Sequence, residues 1–559
     1  MKNTTLTLLS MAEIQAFYRS GHWQDDTIYV LASQHAAKTP NAFAIRDCQR
    51  RLTYCELLSA ADRLAAELYA NGVRAGQRVA IWAPSRVETA IVLLACSRNG
   101  YACCPSLHRD HTVGDVVELL QRMRAVAFVG ETAYGADGSK RDIFAILPTI
   151  NTIRYTVQLA SLGGEVGGAD LLRDTDVALA APAPVTDPNR LVYLAFTSGT
   201  TGQPKGVMHS DNTLLANARA MAGSWSFGPS SVLYTMSPLS HNLGFGALVT
   251  SLASGGELVV HDLPRGASLL DRLIETEVSF LFGVPTHAID LLGELRARGL
   301  TRIGALTGFR ISGAPAPPEV VAELLQRGVV PQSGYGMTEA CSHHYTLPSD
   351  SPERIVTTSG RACPGYEVKI WSLEDPDREL PLGQVGQIGG RGASLMLGYF
   401  DNQSATEEAF NSQGWFMTGD VGRLDGDGYL VITGRKKDLI IRGGHNIYPA
   451  RIENLAMRHP AVARAAVFPV PDGRLGEKVC LAIMPHLQTN ATAEELLEHL
   501  DACGLSKFEM PEYFIALADI PLTATGKILK RDLVDDVKAG RITPSPVRWR
   551  QKVEPSSLG

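Results

Sequence analysis

An alternation of helical and strand patterns along the first half of the chain limits the fold more than any other feature. Thr53 and Glu56 stand at capping-box spacing, and Leu57, Ala61, Leu64, Ala65 and Leu68 then recur at helical spacing until Asn71-Gly72 stops the run. Val79-Ala80-Ile81-Trp82 follows as a short apolar strand, and a second helical pattern over about 87–98 closes at Asn99-Gly100. Strand after helix after strand, with short Gly-marked connections, predicts α/β layers around a mainly parallel sheet. Further buried strands are expected at 257–260 and 278–282, with a surface loop rich in Ala, Gly, Pro and Asp over 159–189.

Beyond Asp420 the texture changes to hairpins. Residues 421–424 and 429–433 flank the turn Asp425-Gly426-Asp427-Gly428. That turn begins like a calcium loop, but its twelfth position is Lys436 where a Glu ligand is needed, so a hairpin is expected. A small unit starts after Gly434. It has a helix opening at Pro449 and stopping at His459-Pro460, then strands near 465–470 and 479–484. A second Thr-x-x-Glu box, Thr492 to Glu495, opens a helix that closes at Gly504. The tail from about Ala539, with Pro544, Pro546 and Pro555, is expected to pack little.

Composition excludes several function classes. The 559 residues suggest about four domains at roughly 150 residues each. Lys+Arg 52 against Asp+Glu 58 leaves a net charge of −6, with no basic excess to neutralise a nucleic-acid backbone. At 45% hydrophobic and 20% charged residues, the chain is globular and not disordered. Nine cysteines without CxxC pairs fit a reducing compartment and no disulfide scaffold. The first twelve residues are too short and polar for a signal peptide. The longest uncharged stretch, 236–256, is broken by Pro238, His241 and Asn242 and fails as a membrane span. A cytoplasmic enzyme is expected, with monomer and homodimer both open.

The sharpest chemical signal is Thr197-Ser198-Gly199-Thr200-Thr201-Gly202-Gln203-Pro204-Lys205-Gly206, directly after an apolar strand at 191–196. A strand running into a loop of Gly and hydroxyl residues that ends in Lys offers N–H groups, hydroxyls and a cation to a polyphosphate. It is not a Walker A loop, because Pro204-Lys205-Gly206 replaces Gly-Lys-Ser/Thr and no helix start is evident. Ser/Thr/Gly clusters are usually plain loops, but a ten-residue run that opens with six of them and ends in Lys-Gly after a buried strand favours the phosphate role.

This run resembles the phosphate loop of the AMP-forming adenylating enzymes, the superfamily of acyl-CoA synthetases, carrier-loading adenylation domains and firefly luciferase. The likeness covers roughly residues 25–535, with motifs in the family's order. Tyr335-Gly336-Met337-Thr338-Glu339 resembles the nucleotide and magnesium segment. Trp415-Phe416-Met417-Thr418-Gly419-Asp420 resembles the segment whose Asp holds the ribose hydroxyls, with Arg435 donating to the same sugar. Gly434-Arg435-Lys436-Lys437-Asp438 is similar to the interdomain hinge, with Lys437 at the pivot where some relatives carry Asp. Pro521-Leu522-Thr523-Ala524-Thr525-Gly526-Lys527 resembles the loop of the catalytic lysine, and Gly313-Ala314-Pro315 falls where the family lays backbone against adenine.

The resemblance implies that ATP, Mg²⁺ and coenzyme A are used with a carboxylic acid. The carboxylate attacks the ATP α-phosphorus, giving an acyl-adenylate and pyrophosphate, and the acyl group then passes to a thiol. Bringing one anion onto another costs several kcal/mol in a low-dielectric site. By resemblance Lys527 offsets this by bridging the carboxylate and the α-phosphate. Acetylation of Lys527 would remove that charge and switch the enzyme off. Thr338 would donate to the α-phosphate, and Glu339, with Thr201, would hold the Mg²⁺. Arg442-Gly443-Gly444-His445-Asn446 resembles the loop that enters the site for the thiol step, with Gly443 and Gly444 lining the pantetheine channel, although turn chemistry accounts for them as well.

On the substrate side, His241-Asn242-Leu243-Gly244-Phe245-Gly246 lies where the family begins its acyl pocket. His241 resembles an aromatic or His gate between the adenylate and thiol steps. Asn242 can hydrogen-bond a ring hydroxyl, Gly244 and Gly246 can leave volume, and Phe245, Gly313 and Met337 complete the expected lining. His343-His344 is expected beside it. The His-Asn pair is similar to that of aryl-acid ligases of siderophore assembly, which load a carrier protein. Arg361-Ala362-Cys363-Pro364-Gly365 and Tyr101-Ala102-Cys103-Cys104-Pro105 instead resemble ligases of cyclohexanecarboxylate and related acids. Cys103, Cys104, His108 and His111 raise the question of zinc, but adjacent cysteines strain a tetrahedral site and ordinary buried thiols are expected.

The expected architecture is therefore a large α/β and β-barrel-like body over 1–436, a hinge at 437, and a mobile α+β lid over 438–538. A tail over 539–559, loosely ordered, completes it. The expected activity is an AMP-forming acid–CoA ligase for a small alicyclic, aromatic or medium-chain acid, with carrier loading as the alternative. A non-catalytic nucleotide binder has no reason to keep Lys205, Glu339, Asp420 and Lys527 together.

Overall fold

The computed structural model describes residues 9–162, 169–172, 181–197, 204–264, 266–313, 316–443, 445–486, 489, 491–522 and 528–549. Local sequence signals set the first helix after the N-terminal pair of strands. Thr53 Oγ1 accepts from the Glu56 N–H at 3.2 Å, and Glu56 Oε2 accepts from the Thr53 N–H at 2.8 Å. This cap, worth about 1 kcal/mol, opens the helix Tyr54–Ala70, whose Leu57, Ala61, Leu64, Ala65 and Leu68 are buried. The following helix, Val87–Asn99, is buried on almost every side and ends at Gly100 in the left-handed region.

The alternating pattern builds two large sheets where one was expected. In the first, the spatial order is Arg361–Ala362, Cys341–Tyr345, Val330–Met337, Gly308–Ser312, Phe280–Gly283, Val232–Thr235, Glu257–Val260, Phe43–Arg46 and Arg51–Thr53. Its six central strands, from Val330–Met337 to Phe43–Arg46, are parallel, and both edges turn antiparallel. The second runs Gly398–Tyr399, Lys205–Ser210, Leu191–Thr197, Ala102–Cys104, Arg78–Trp82, Ala125–Glu131 and Tyr155–Leu159. There only Lys205–Ser210 runs against the others, pairing antiparallel with both Leu191–Thr197 and Gly398–Tyr399. One core cluster joins the two sheets through Ile45, Leu64, Ile91, Tyr193, Phe245 and Leu258. Where a barrel-like part was expected, a four-stranded sheet forms in the order Tyr366–Trp371, Gly386–Gly392, Phe416–Leu424, Leu430–Arg435. Its last two strands are joined through the 425–429 turn.

The chain divides into two compact units. One comprises Met1–Val368, Gly389–Phe416 and Gly426–Leu430, and the other Lys369–Ile388, Met417–Asp425 and Val431–Gly559. In the second unit, the hairpin Val462–Asp472 with Gly476–Pro485 shows the period-two logic of a strand. Val467, Leu481 and Ile483 face one core with Ile452 and Leu497, while Phe468, Cys480 and Ala482 face another with Ile520 and Leu533. The expected loose tail is corrected here over its described part. Ser545–Pro546 pairs with Tyr513–Ala516, the Val547 N–H donates to the Glu512 carbonyl at 2.8 Å, and Val547 and Trp549 pack on the core. Among the described residues no helix is long and apolar enough to cross a membrane.

Candidate active site

Two chain reversals in the first unit carry the residues expected at the phosphates and the magnesium. The strand Leu191–Thr197 returns as Lys205–Ser210, with Thr197 opposite Lys205, so the Gly- and hydroxyl-rich segment is the connection of an antiparallel pair. That explains why no helix follows it. Ser198, Gly199, Thr200 and Thr201 lie outside the described residues; at the rim, Thr197 Oγ1 donates to the Lys205 carbonyl at 3.4 Å. The other reversal joins Val330–Met337 to Cys341–Tyr345, with a register shift between Tyr335 and Met337. Gly336 is required there, because a Cβ would sit 2.3 Å from the Cys341 carbonyl oxygen. Cys341 itself takes φ 56°, rare for a residue with a side chain, and so closes the short turn bearing Thr338 and Glu339.

Tyr399 links the two reversals. Its Oη donates to Glu339 Oε1 at 3.0 Å, and the Lys205 ammonium lies 4.8 Å from the centre of its ring. Burial, and then the negative charge of Glu339, raise the Tyr399 phenol above its usual range, so it stays protonated and donates. The Met396 N–H donates to the Glu339 carbonyl at 2.7 Å, fixing the backbone as well. Behind the turn, His209 Nε2 lies 2.7 Å from the Thr338 carbonyl oxygen. A carbonyl only accepts, so Nε2 carries the proton. Burial pushes His209 down to about 4, leaving a neutral ring whose Nδ1 faces the Thr213 hydroxyl at 3.0 Å. Sequence alone singled out neither Tyr399 nor His209; the signals were Gly398-Tyr399 and the His209-Ser210 that follows Lys205-Gly206-Val207-Met208.

The substrate-side residues gather on the helix Asn242–Ser254 and its N-cap, His241. Asn242 Nδ2 donates to the Met337 carbonyl at 3.3 Å, joining this helix to the strand Val330–Met337. One expectation is corrected. Gly244 and Gly246 both lie in the helix, and Gly244 leaves no volume for a substrate: a Cβ there would meet the Ser237 and Pro238 carbonyl oxygens at 2.4 and 2.3 Å. Gly246 alone of the two opens onto space. Phe245 is fully buried in the core, its ring centre 4.2 Å from that of Tyr193. Tyr335 packs edge-on against His343 at 4.8 Å, and His343 Nδ1 lies 2.8 Å from His344 Nδ1, both rings fully buried. Gly313 follows the strand Gly308–Ser312; Ala314 and Pro315 lie outside the described residues. Among the described residues no group of three or more His, Cys, Asp or Glu is arranged to hold a metal, and Cys103 and Cys104 are buried free thiols.

The second unit brings Asp420 and Arg435 together, with Arg435 Nε 3.2 Å from Asp420 Oδ1. Asp420 is buried at the middle of its strand, and its N–H donates to Thr418 Oγ1 at 3.1 Å. Lys437 is exposed within the short 3₁₀ turn Lys436–Asp438. Gly443 turns the chain between Ile440–Arg442 and His445–Ile447, its N–H donating to the Leu475 carbonyl at 2.8 Å. Gly444 and Lys527 lie outside the described residues.

The sequence matches the AMP-binding enzyme family over residues 32–400 and the AMP-binding enzyme C-terminal domain over 451–527. The chain belongs to the AMP-binding enzyme family. By that membership it is an AMP-forming acid–CoA ligase that uses ATP, Mg²⁺ and CoA. It is 31% identical over 547 residues to the medium-chain fatty-acid–CoA ligase of Escherichia coli (strain K12), covering 96% of this chain and 95% of that protein. A 3-[(3aS,4S,7aS)-7a-methyl-1,5-dioxo-octahydro-1H-inden-4-yl]propanoyl:CoA ligase of Rhodococcus jostii (strain RHA1) is 30% identical, over 89% and 96% of the two chains. Among solved structures, ATP-bound MatB from Rhodopseudomonas palustris superimposes with a TM-score of 0.80 at 28% identity, covering 92% of this chain and 99% of that one.

Proposed function

We propose that this enzyme joins a small alicyclic, aromatic or medium-chain carboxylic acid to coenzyme A in the cytoplasm. The acid oxygen attacks the ATP α-phosphorus and pyrophosphate leaves; the CoA thiol then attacks the acyl carbon, releasing AMP and a proton. The observation that supports this most is the Lys205–Tyr399–Glu339 link. It sets a cation and a carboxylate at the ends of the two reversals that the family uses for nucleotide phosphates. Lys205 and the loop before it bind the phosphates, and Thr338, its carbonyl held by His209, presents its hydroxyl to the α-phosphate.

Magnesium fits the residues present. Mg²⁺ takes one or two carboxylates plus phosphates and keeps several waters, so it needs no all-protein cage. A single oriented carboxylate, Glu339, with the Thr201 hydroxyl, would hold it, and it would spread the charge of the phosphates. In the second unit, Asp420 and Arg435 take the ribose hydroxyls, and Lys527 bridges carboxylate and α-phosphate. Rotation at Lys437 between a body of 1–436 and a lid of 438–538 exchanges the two half-reactions, Gly443 and Gly444 serving the pantetheine arm. Asn242, Met337, Gly313 and the space at Gly246 receive the acid. The printed names of the Escherichia coli and Rhodococcus relatives, one medium-chain and one fused-ring acid, support that range. A pyrophosphate-release screen over a few dozen carboxylic acids tests the substrate class. Turnover confined to amino acids or long-chain acids would refute it.

A further inference from the structure

A second imidazole lies flat on His241. The His108 and His241 rings stack with centroids 4.0 Å apart and planes within 10°. His108 comes from the segment between the strand Ala102–Cys104 and the helix Val113–Arg122 and is held from several sides. Its Nδ1 lies 3.1 Å from Ser240 Oγ, the residue just before His241. Its carbonyl accepts from the indole N–H of fully buried Trp82 at 3.0 Å, and its own N–H donates to His111 Nδ1 at 3.2 Å. The ring is therefore anchored to a core tryptophan on one side and to the start of the helix Asn242–Ser254 on the other.

We propose that His108 is a positioning residue that latches His241 in one orientation, so that the acyl-adenylate stays covered until the stack opens for the thiol. This rests on the reading of His241 as the gate between the two half-reactions. Aromatic rings that stack with offset gain contact and quadrupole energy, and a ring that must swing away forfeits it. Both stacked groups must also avoid being charged together. Burial, and then repulsion from His241 and His111, push His108 down to about 3, which keeps it neutral at working pH. The zinc question raised by His108 and His111 thus has a different answer: these rings pair with each other and with the helix start, and not with Cys103 or Cys104.

The test compares His108→Ala, His108→Phe and His241→Ala in the full-length enzyme with an acid found by pyrophosphate release. His108→Ala should leave acid-dependent pyrophosphate exchange within about twofold. It should raise AMP release in the absence of CoA about fivefold, the size expected for one lost ring stack, and alter KM for CoA more than kcat. His108→Phe keeps a flat ring and should restore low AMP leakage. Equal leakage in His108→Phe and His108→Ala, or none in either while His241→Ala leaks, would overturn the latch and leave the gate standing. An unchanged His241→Ala enzyme would instead overturn the gate reading and the latch with it.

Discussion

The two units solve the placement of charge in opposite ways. The first holds its turns with buried, uncharged imidazoles: burial pushes His209 down to about 4, His344 to about 3 and His343 well below its usual range. In the second, the largest acid shift is at an exposed hairpin turn, where the Lys478 hydrogen bond and the backbone N–H groups of Leu475 and Arg474 hold Asp472 at about 2. Arg435, Lys436, Lys437 and Gly443 are all exposed there. The first unit is thus preorganised, with neutral partners fixing backbone around Thr338 and Glu339. The second keeps Arg435, Lys436 and Lys437 in water, where movement costs little desolvation.

The hardest break between the units is at Lys527. Lys527→Ala should lower acyl-adenylate formation about 10²–10³-fold, as for loss of one charge-stabilising donor, while thioester formation from supplied acyl-adenylate stays nearly intact. Equal loss of both half-reactions would erase the division of labour.

Acid should separate the units next. His108, His209 and His344 ionise at about 3, 4 and 3 when folded, against 6.5 unfolded. Below pH 6.5 the unfolded state binds more protons at these sites, so stability falls as pH falls, down to about pH 4. Asp211 opposes this. Burial raises it to about 7, so between its unfolded 3.8 and 7 the folded state holds one extra proton. These imidazoles, with His343 displaced in the same direction, outnumber the one opposing carboxyl, so the net effect is a loss of stability as pH falls below 6. Limited proteolysis read by mass spectrometry should show new cuts in the first unit at pH 5, before the second. Simultaneous cutting of both would contradict the contrast.

A smaller effect is expected at the hinge. Lys437→Pro should slow the CoA step about tenfold, by fixing backbone φ at a moving residue, with pyrophosphate exchange little changed. Uniform loss would remove Lys437 from the pivot. Smallest of all, Tyr399→Phe should raise the Mg²⁺ concentration for half-maximal ATP binding about fivefold, the cost of one hydrogen bond of about 1 kcal/mol. Calorimetry of MgATP binding checks it, and an unchanged titration would mean Tyr399 does not orient Glu339.

Much of this was legible from local rules. The boxes at Thr53 and Thr492, the Gly100 stop, the strand 257–260 and the hairpin at 425–428 depend on neighbours in sequence, and the structure has them. The volume expected at Gly244 was misjudged because a small side chain shows nothing of the backbone that crosses it, and Gly is a poor helix former. Here a tight crossing over the Ser237 and Pro238 carbonyls overrides that propensity. The tail was misjudged from its prolines, although Val547 and Trp549 carried the apolar signal of a packed strand edge. Tyr399, His209 and the stacking of His108 on His241 could not be seen, because each acts on a residue more than fifty positions away.

The most direct measurement is product analysis of the purified enzyme with an active acid, ATP, Mg²⁺ and free CoA, run beside a panel of phosphopantetheinylated carrier proteins. The account predicts acyl-CoA, AMP and pyrophosphate in equal amounts without any carrier. Release of ADP and phosphate, or a thioester formed solely on a carrier protein, would contradict it.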